Sequence, residues 1–208
     1  MEEVIKLANR IKDENLRKKV IEILKDPKLT SKDFRKYKPE DIKKARTGFI
    51  VSSPSGQIYV ERDVLNHTIA VTKACIEMAK IIEEVYGLKL NLDVLIAGAI
   101  LHDIGKLFEW KVGEKGVEHT GVLIDHSILM GAELYKRDFP EEVIHLVVSH
   151  FGETGPTPPR TFEALVLHYV DHFLSIFEAR YNTSLQEIAS QVPILWEIER
   201  MKDEKEKD

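Results

Sequence analysis

Apolar positions recur at helical spacing along most of the chain. Val4, Ile5, Leu7, Ala8 and Ile11 predict an amphipathic helix over 2–12, and Leu16, Val20, Ile21 and Leu24 a second over 14–25. Asp26-Pro27 stops the second helix. Thr30 and Ser31 cap a short helix through Tyr37, and Pro39 opens another to about Arg46. Residues 47–60 break the pattern, because two β-prone runs flank Ser53-Pro54-Ser55-Gly56, and this predicts a small hairpin. A long helix follows from about Glu61 to Tyr86, with Gly87 as its C-cap. Asn91 or Leu92 opens a central helix to about Phe108.

Residues 110–122 place Gly113, Gly116 and Gly121 among charges, a Gly-rich loop or small hairpin and a candidate lid. Helices follow from about Asp125 to Arg137 and from Pro140 to His150. After the Pro/Gly loop 152–160, Thr161 caps a helix to about Arg180, and Thr183 or Ser184 a last one to about Met201. The expected fold class is all-α. Its parts are an N-terminal helical collar over 1–46, a main domain over 47–201 and a charged tail over 202–208.

Composition narrows the function. A hydrophobic fraction of 43% in 208 residues supports a real core. The net charge of −5 argues against a dominant electrostatic grip on nucleic acid, while leaving room for a local basic patch. Met1 is followed by Glu2 and Glu3, so no signal peptide is read, and no apolar stretch reaches the roughly 18 residues that span a bilayer. Cys75 is the single cysteine, which excludes an intrachain disulfide and fits a reducing cytoplasm.

The chemistry gathers around Leu95–Phe108, LIAGAILHDIGKLF, where the pair His102-Asp103 interrupts an apolar run. A buried, unpartnered carboxylate there would cost several kcal/mol, so Asp103 needs a strong partner. His67, His102-Asp103, His126, His150 and Asp171 lie at intervals of 35, 23, 24 and 21 residues, each on or at the end of a different predicted helix. Bundles build metal sites this way, with facing helices each pointing one or two ligands inward. Four imidazoles and two carboxylates exceed what one ion takes and match two divalent ions sharing a carboxylate. The donor set suits Mn, Fe, Ni, Co or Zn.

Lys106 lies three residues after Asp103 on the same face, and Gly105 leaves room for something to approach the backbone. A single histidine on an apolar face is more often packed core than ligand; six such residues in this order reverse that balance. Among the rest, His119 in the candidate lid and Arg160 after the Pro loop are candidates for substrate contact. Plain surface roles are the commoner reading for both. His168 could support a ligand by hydrogen bonding. Trp110 and Tyr169 default to aromatic packing.

The order H…HD…H…H…D with HDIGK resembles the HD-domain superfamily of metal-dependent phosphohydrolases, in its two-metal branch, over about residues 60–180. NHTIAVTKACIEMA, LIAGAILHDIGKL, GVLIDH, SHFGE and TFEALVLHYVD look most like the HD domain of YhaM-type 3′–5′ exoribonucleases. Those enzymes carry an OB-fold module ahead of the HD domain, where residues 1–46 here read as helical. The resemblance implies an HD-domain helical bundle over 47–201. It also implies a first metal on His67, His102, Asp103 and Asp171, and a second on bridging Asp103, His126 and His150. A metal-bridged hydroxide would be the nucleophile, with Asp103 and Lys106 catalytic and Lys106 steadying the phosphate.

The expected function is therefore a metal-dependent phosphohydrolase, a phosphodiesterase/nuclease or nucleotide hydrolase, acting on a nucleotide or short oligonucleotide. A di-iron oxygenase and a non-catalytic nucleotide-binding module are the alternatives. The N-terminal helices or the last helix could make a homodimer.

Overall fold

The computed structural model of the chain describes residues 1–53, 56–114 and 116–182, of which 49–53, 56–58 and 60 are described by backbone alone. The expected last helix to Met201 and the tail 202–208 lie outside the described residues. Two compact units are present. One comprises Met1–Gly48 and Glu61–Leu174, and the other Phe49–Val60 and the chain from Ser175 onward. Every candidate site residue lies in the first.

Helix α1 (Glu2–Ala8) is shorter than its periodicity suggests. Arg10 and Ile11 donate to Leu7 and Ala8 across three residues, a tightened turn that still buries Ile11. Helix α2 (Glu14–Lys25) starts at Asp13, whose carboxylate accepts the Leu16 N–H at 2.9 Å. Asp93 accepts the backbone N–H groups of Lys12 and Asp13 and ties this corner to the domain behind it. Val4, Leu7, Val20, Ile23 and Leu24 join the same core as the later helices.

The two helices expected between Thr30 and Arg46 do not form. A single 3-10 turn at Lys32–Phe34 replaces the first. The second is lost to tertiary anchoring: the Glu40 N–H donates to Leu107 O at 2.8 Å, and its carboxylate accepts the Val112 N–H at 3.0 Å. Asp41 then caps the isolated turn that follows, accepting the Lys43 N–H at 3.0 Å.

Strands β1 (Arg46–Ser53) and β2 (Gly56–Asp63) form the expected two-stranded sheet, and the turn residues Pro54 and Ser55 are outside the described residues. Helix α3 (Val64–Tyr86) begins later than predicted, because β2 continues to Asp63, which then caps the helix through the Asn66 N–H at 2.7 Å. Gly87, at φ 68°, ends it as expected.

Helix α4 (Leu92–Leu101) is the axis of the core, with every residue from Val94 to Leu101 buried. Gly98 permits its close approach to helix α7 (Glu141–Ser149), since an added Cβ would sit 2.5 Å from Leu146 Cδ2. The central helix does not run through to Phe108. It stops at Leu101, turns through His102–Gly105 and resumes as α5 (Lys106–Glu109). Here Ile104, Lys106, Leu107 and Phe108 all donate to the carbonyl three residues back, which tightens the chain where the polar pair sits.

The Gly-rich segment is a hairpin, with β3 (Trp110–Gly113) antiparallel to β4 (Gly116–His119) and Trp110 opposite His119. Helix α6 (His126–Lys136) is capped by Asp125, which accepts from Ser127 N at 2.8 Å. After α7 comes a 3-10 turn at Gly152–Thr154. Helix α8, residues 162–182, then begins beside Thr161, whose hydroxyl accepts the Ala164 N–H. Among the described residues no helix is long and apolar enough to cross a membrane. The fold is all-α apart from these small sheets, as expected.

Candidate metal centre

Five elements deliver the six residues. His67 lies one turn into α3, His102 and Asp103 in the break after α4, His126 at the first position of α6, His150 at the C-cap of α7 and Asp171 within α8. His67, His102, Asp103, His126 and His150 are all buried.

Asp103 stands at the middle. Its Oδ2 lies 3.4 Å from His102 Nε2 and 3.9 Å from His67 Nε2. Its Oδ1 lies 3.4 Å from His126 Nε2 and 3.9 Å from His150 Nε2. Asp171 Oδ1 hydrogen-bonds His67 Nε2 at 2.8 Å and lies 3.9 Å from His102 Nε2. Two trios result, His67–His102–Asp171 and Asp103–His126–His150, with the ligand atoms of each within 4.8 Å of one another.

The imidazoles are oriented from behind. His102 Nδ1 pairs with Ala99 O at 2.8 Å, His150 Nδ1 with Val147 O at 2.7 Å and His126 Nδ1 with Glu109 Oε2 at 2.8 Å. Each partner is an acceptor, so each Nδ1 carries the hydrogen and each Nε2 is left to face the cluster. Those three Nε2 atoms and Asp103 Oδ1 are buried without a hydrogen-bond partner. Four orphaned polar atoms around one carboxylate would be costly in a bare core, and they fit divalent metal coordination.

Electrostatics agree with this geometry. Burial alone would raise the Asp103 carboxyl, but the Lys106 ammonium and His102 hold it well below the usual range. Lys106 Nζ donates to Asp103 Oδ2 at 2.8 Å and Arg62 Nη2 at 3.2 Å. Burial also opposes ionisation of Asp171, yet the His67 N–H and His102 keep it below the carboxylate range. Burial, then the neighbouring His102, pushes His150 down to about 3. Burial and Lys106 push His126 down too, but the facing Asp103 carboxylate and the bond to Glu109 win and raise it.

The remaining predicted residues lie outside the cluster. His119 is 43% exposed on β4, where Nδ1 accepts the Gly121 N–H, the ring meets Trp110 edge to face, and Nε2 lies 4.0 Å from Glu109 Oε1. Arg160 is exposed, and its backbone N–H donates to His145 Nε2 at 3.0 Å. His168 donates from Nδ1 to His150 O at 2.8 Å and so braces the carbonyl of a cluster residue.

Two residues of the centre, Arg62 and Glu109, are not signalled by sequence pattern. Arg62 sits at the end of a strand with no periodicity linking it to Asp103. Glu109 could have been found by asking what holds the far nitrogen of each buried histidine.

The HD domain family matches residues 64–176. The chain belongs to the HD-domain family. It is 46% identical over 177 residues to dihydroneopterin 2′,3′-cyclic phosphate phosphodiesterase of Methanocaldococcus jannaschii, an alignment covering 82% of this chain and 67% of that protein. It is 37% identical over 110 residues to the 3′-5′ exoribonuclease YhaM of a Geobacillus species, and 38% identical over 110 residues to that of Bacillus subtilis. These alignments cover 47% of this chain and only 33% and 34% of the two exoribonucleases. The YhaM likeness is thus present but confined to the domain, whereas the archaeal match extends along most of the chain. No solved structure gives a significant match. As an HD-superfamily member with these relatives, the chain is a metal-dependent phosphohydrolase.

Proposed function

We propose that the chain is a two-metal phosphodiesterase that opens a small 2′,3′-cyclic phosphodiester. The observation that carries this reading is Asp103, which turns one oxygen to each trio. His67, His102, Asp103 and Asp171 would hold one divalent ion, and Asp103, His126 and His150 the other. Imidazole with carboxylate suits Mn, Fe, Ni, Co or Zn. When bound, such a pair supplies an activated water and neutralises the phosphoryl oxygens.

The chain's own groups do the rest. Lys106 and Arg62, both on Asp103 Oδ2, place two cations where negative charge builds as water adds to phosphorus. They favour an anionic substrate over the oxidation of a neutral alcohol. In the step itself a new P–O bond forms from water, one ring P–O bond breaks, and the released alkoxide takes up a proton, leaving a phosphomonoester. His119 on the hairpin and Arg160 beyond His150 are the rim groups assigned to substrate. Residues 1–46 are read as a collar bracing the HD domain at 47–201.

The substrate class is supported by the archaeal relative, whose name specifies dihydroneopterin 2′,3′-cyclic phosphate. Purified protein with measured metal content should hydrolyse that compound, or a 2′,3′-cyclic nucleotide, with added Mn, Fe, Ni or Co in the absence of oxygen. Asp103→Ala should abolish turnover and metal content together. Turnover only with iron and O2, yielding an oxidised carbon product, would replace this reading with the oxygenase.

A further inference from the structure

Phe151 opens the 3-10 turn that follows α7 and His150, and its side chain is only partly buried. It belongs neither to the hydrophobic core nor to the partly buried side chains packed against that core. Its ring meets two histidines of the cluster instead. The ring centre lies 4.4 Å from that of His150, tilted by 32°, and 5.3 Å from that of His126, close to edge to face at 71°. A phenyl ring thus stands beside the Asp103–His126–His150 trio with part of its surface open to solvent.

The chain holds this ring in place. Phe151 O accepts the Thr154 hydroxyl at 2.9 Å, which closes the turn on it. Gly152, at φ 65°, makes a bend that a side chain would resist. Gly155 then comes so near that an added Cβ would lie 3.0 Å from Phe151 Cβ. A ring fixed in this way loses little freedom when a ligand lies on it. Two other aromatic rings of this region are engaged differently. Trp110 has its N–H on Glu109 and its ring against His119, and Tyr169 lies against His168.

The substrate's own covalent structure sets where its ring must fall. In a nucleoside 2′,3′-cyclic phosphate, one oxygen and two carbons join phosphorus to the flat heterocycle. With phosphorus held at the cluster, the heterocycle lies within about a side chain's length of the histidines. Phe151 occupies that range on the side of His126 and His150. We propose that Phe151 is the platform on which the substrate's heterocycle stacks, so that the enzyme selects cyclic phosphates carrying a flat ring over those without one. A phenyl face has no donor or acceptor, so it accepts flat rings without reading their edges.

This role rests on the phosphodiesterase reading for turnover but not for binding, so both are measured. Wild type, Phe151→Leu and Phe151→Tyr, each loaded with Mn, are given guanosine 2′,3′-cyclic phosphate and glycerol 1,2-cyclic phosphate. The second has the cyclic phosphodiester and no heterocycle. Leucine keeps the apolar bulk and removes the aromatic face. The KM for the guanosine compound relative to the glycerol compound should rise about tenfold in Phe151→Leu, with the ratio of kcat values unchanged. Phe151→Tyr should keep the wild-type ratio. By calorimetry, the affinity for guanosine 2′-monophosphate relative to glycerol 2-phosphate should fall about tenfold in Phe151→Leu.

Unchanged ratios in Phe151→Leu overturn the proposal. An equal loss on both members of each pair, with ions lost as well, overturns it too, because Phe151 would then only pack the two histidines. If wild type hydrolyses neither cyclic phosphate, the phosphodiesterase reading fails, and the affinity ratio alone decides the role of Phe151.

Discussion

Glu109 Oε2 stands 2.8 Å from His126 Nδ1, and it is this bond that leaves His126 Nε2 facing Asp103 Oδ1. The same oxygen accepts the Trp110 Nε1–H at 3.0 Å, so the first residue of the hairpin and a cluster histidine share one acceptor. Glu109→Gln removes the charge and retains one acceptor oxygen. Loss of such a partner typically weakens metal affinity about 10- to 100-fold. Chelator competition should show that loss at one ion of the pair, with the unfolding midpoint of the metal-free protein little changed at alkaline pH, where His126 is neutral. Two ions held at wild-type affinity in the variant would remove Glu109 from the positioning role.

Asp103 also bears on stability without any ion. It is 1% exposed and accepts from Lys106 and Arg62, themselves about one-tenth exposed or less. Asp103→Asn keeps the shape and takes away the charge that two buried cations face. Breaking a buried pair by removing one partner costs about 3–5 kcal/mol. Urea unfolding of the metal-free variant should register a loss of that size. Equal stability would mean that the two cations find other carboxylates or water once Asp103 is neutralised.

How the sequence and the structure relate is clearest along the HDIGK stretch. His102 and Asp103 were legible because two polar residues interrupt an apolar run, and the buried run of α4 follows from that same pattern. What periodicity could not register is that the helix breaks at this pair. The break is made of bonds across three residues, and a tightened turn keeps the same apolar spacing as a continuing helix. The segment 39–46 misled for a different reason. Its local pattern suits a helix, but Glu40 is claimed by Leu107 and Val112, some seventy positions away. Arg62 was invisible because its link to Asp103 is purely spatial, across 41 residues.

The glycine of the same stretch has a specific use. A Cβ on Gly105 would lie 2.3 Å from His126 O and 2.9 Å from His126 Cβ. The first of these is backbone, so it cannot swing aside. Gly105→Ala must push the start of α6 away from α5 and carry His126 with it. Overpacking at so tight a fit costs about 1–3 kcal/mol. The variant should be less stable by that amount and lose the ion nearest His126 first. Retention of both ions with an unchanged melting point would show that the two elements separate without cost.

The metal-free protein should be most stable near pH 6.5, because two cluster histidines titrate in opposite senses. His150 is held down to about 3, first by burial and then by His102. Its contribution is therefore present above its unfolded value near 6.5 and is lost as pH falls toward 3. The loss runs at about 1.4 kcal/mol per pH unit for one proton taken up by the unfolded chain alone. His126 is raised, the facing Asp103 carboxylate and the bond to Glu109 outweighing burial and Lys106. Its contribution is complete below 6.5 and disappears as pH climbs through the folded value. Urea unfolding at pH 5, 6.5 and 8 should thus give a maximum at the middle pH. Replacing His150 by Asn should remove the acid-side fall, and Glu109→Gln should blunt the alkaline one. A stability that rises steadily from pH 5 to 8 in the wild type would mean that His126 is not held protonated in the folded, metal-free cluster.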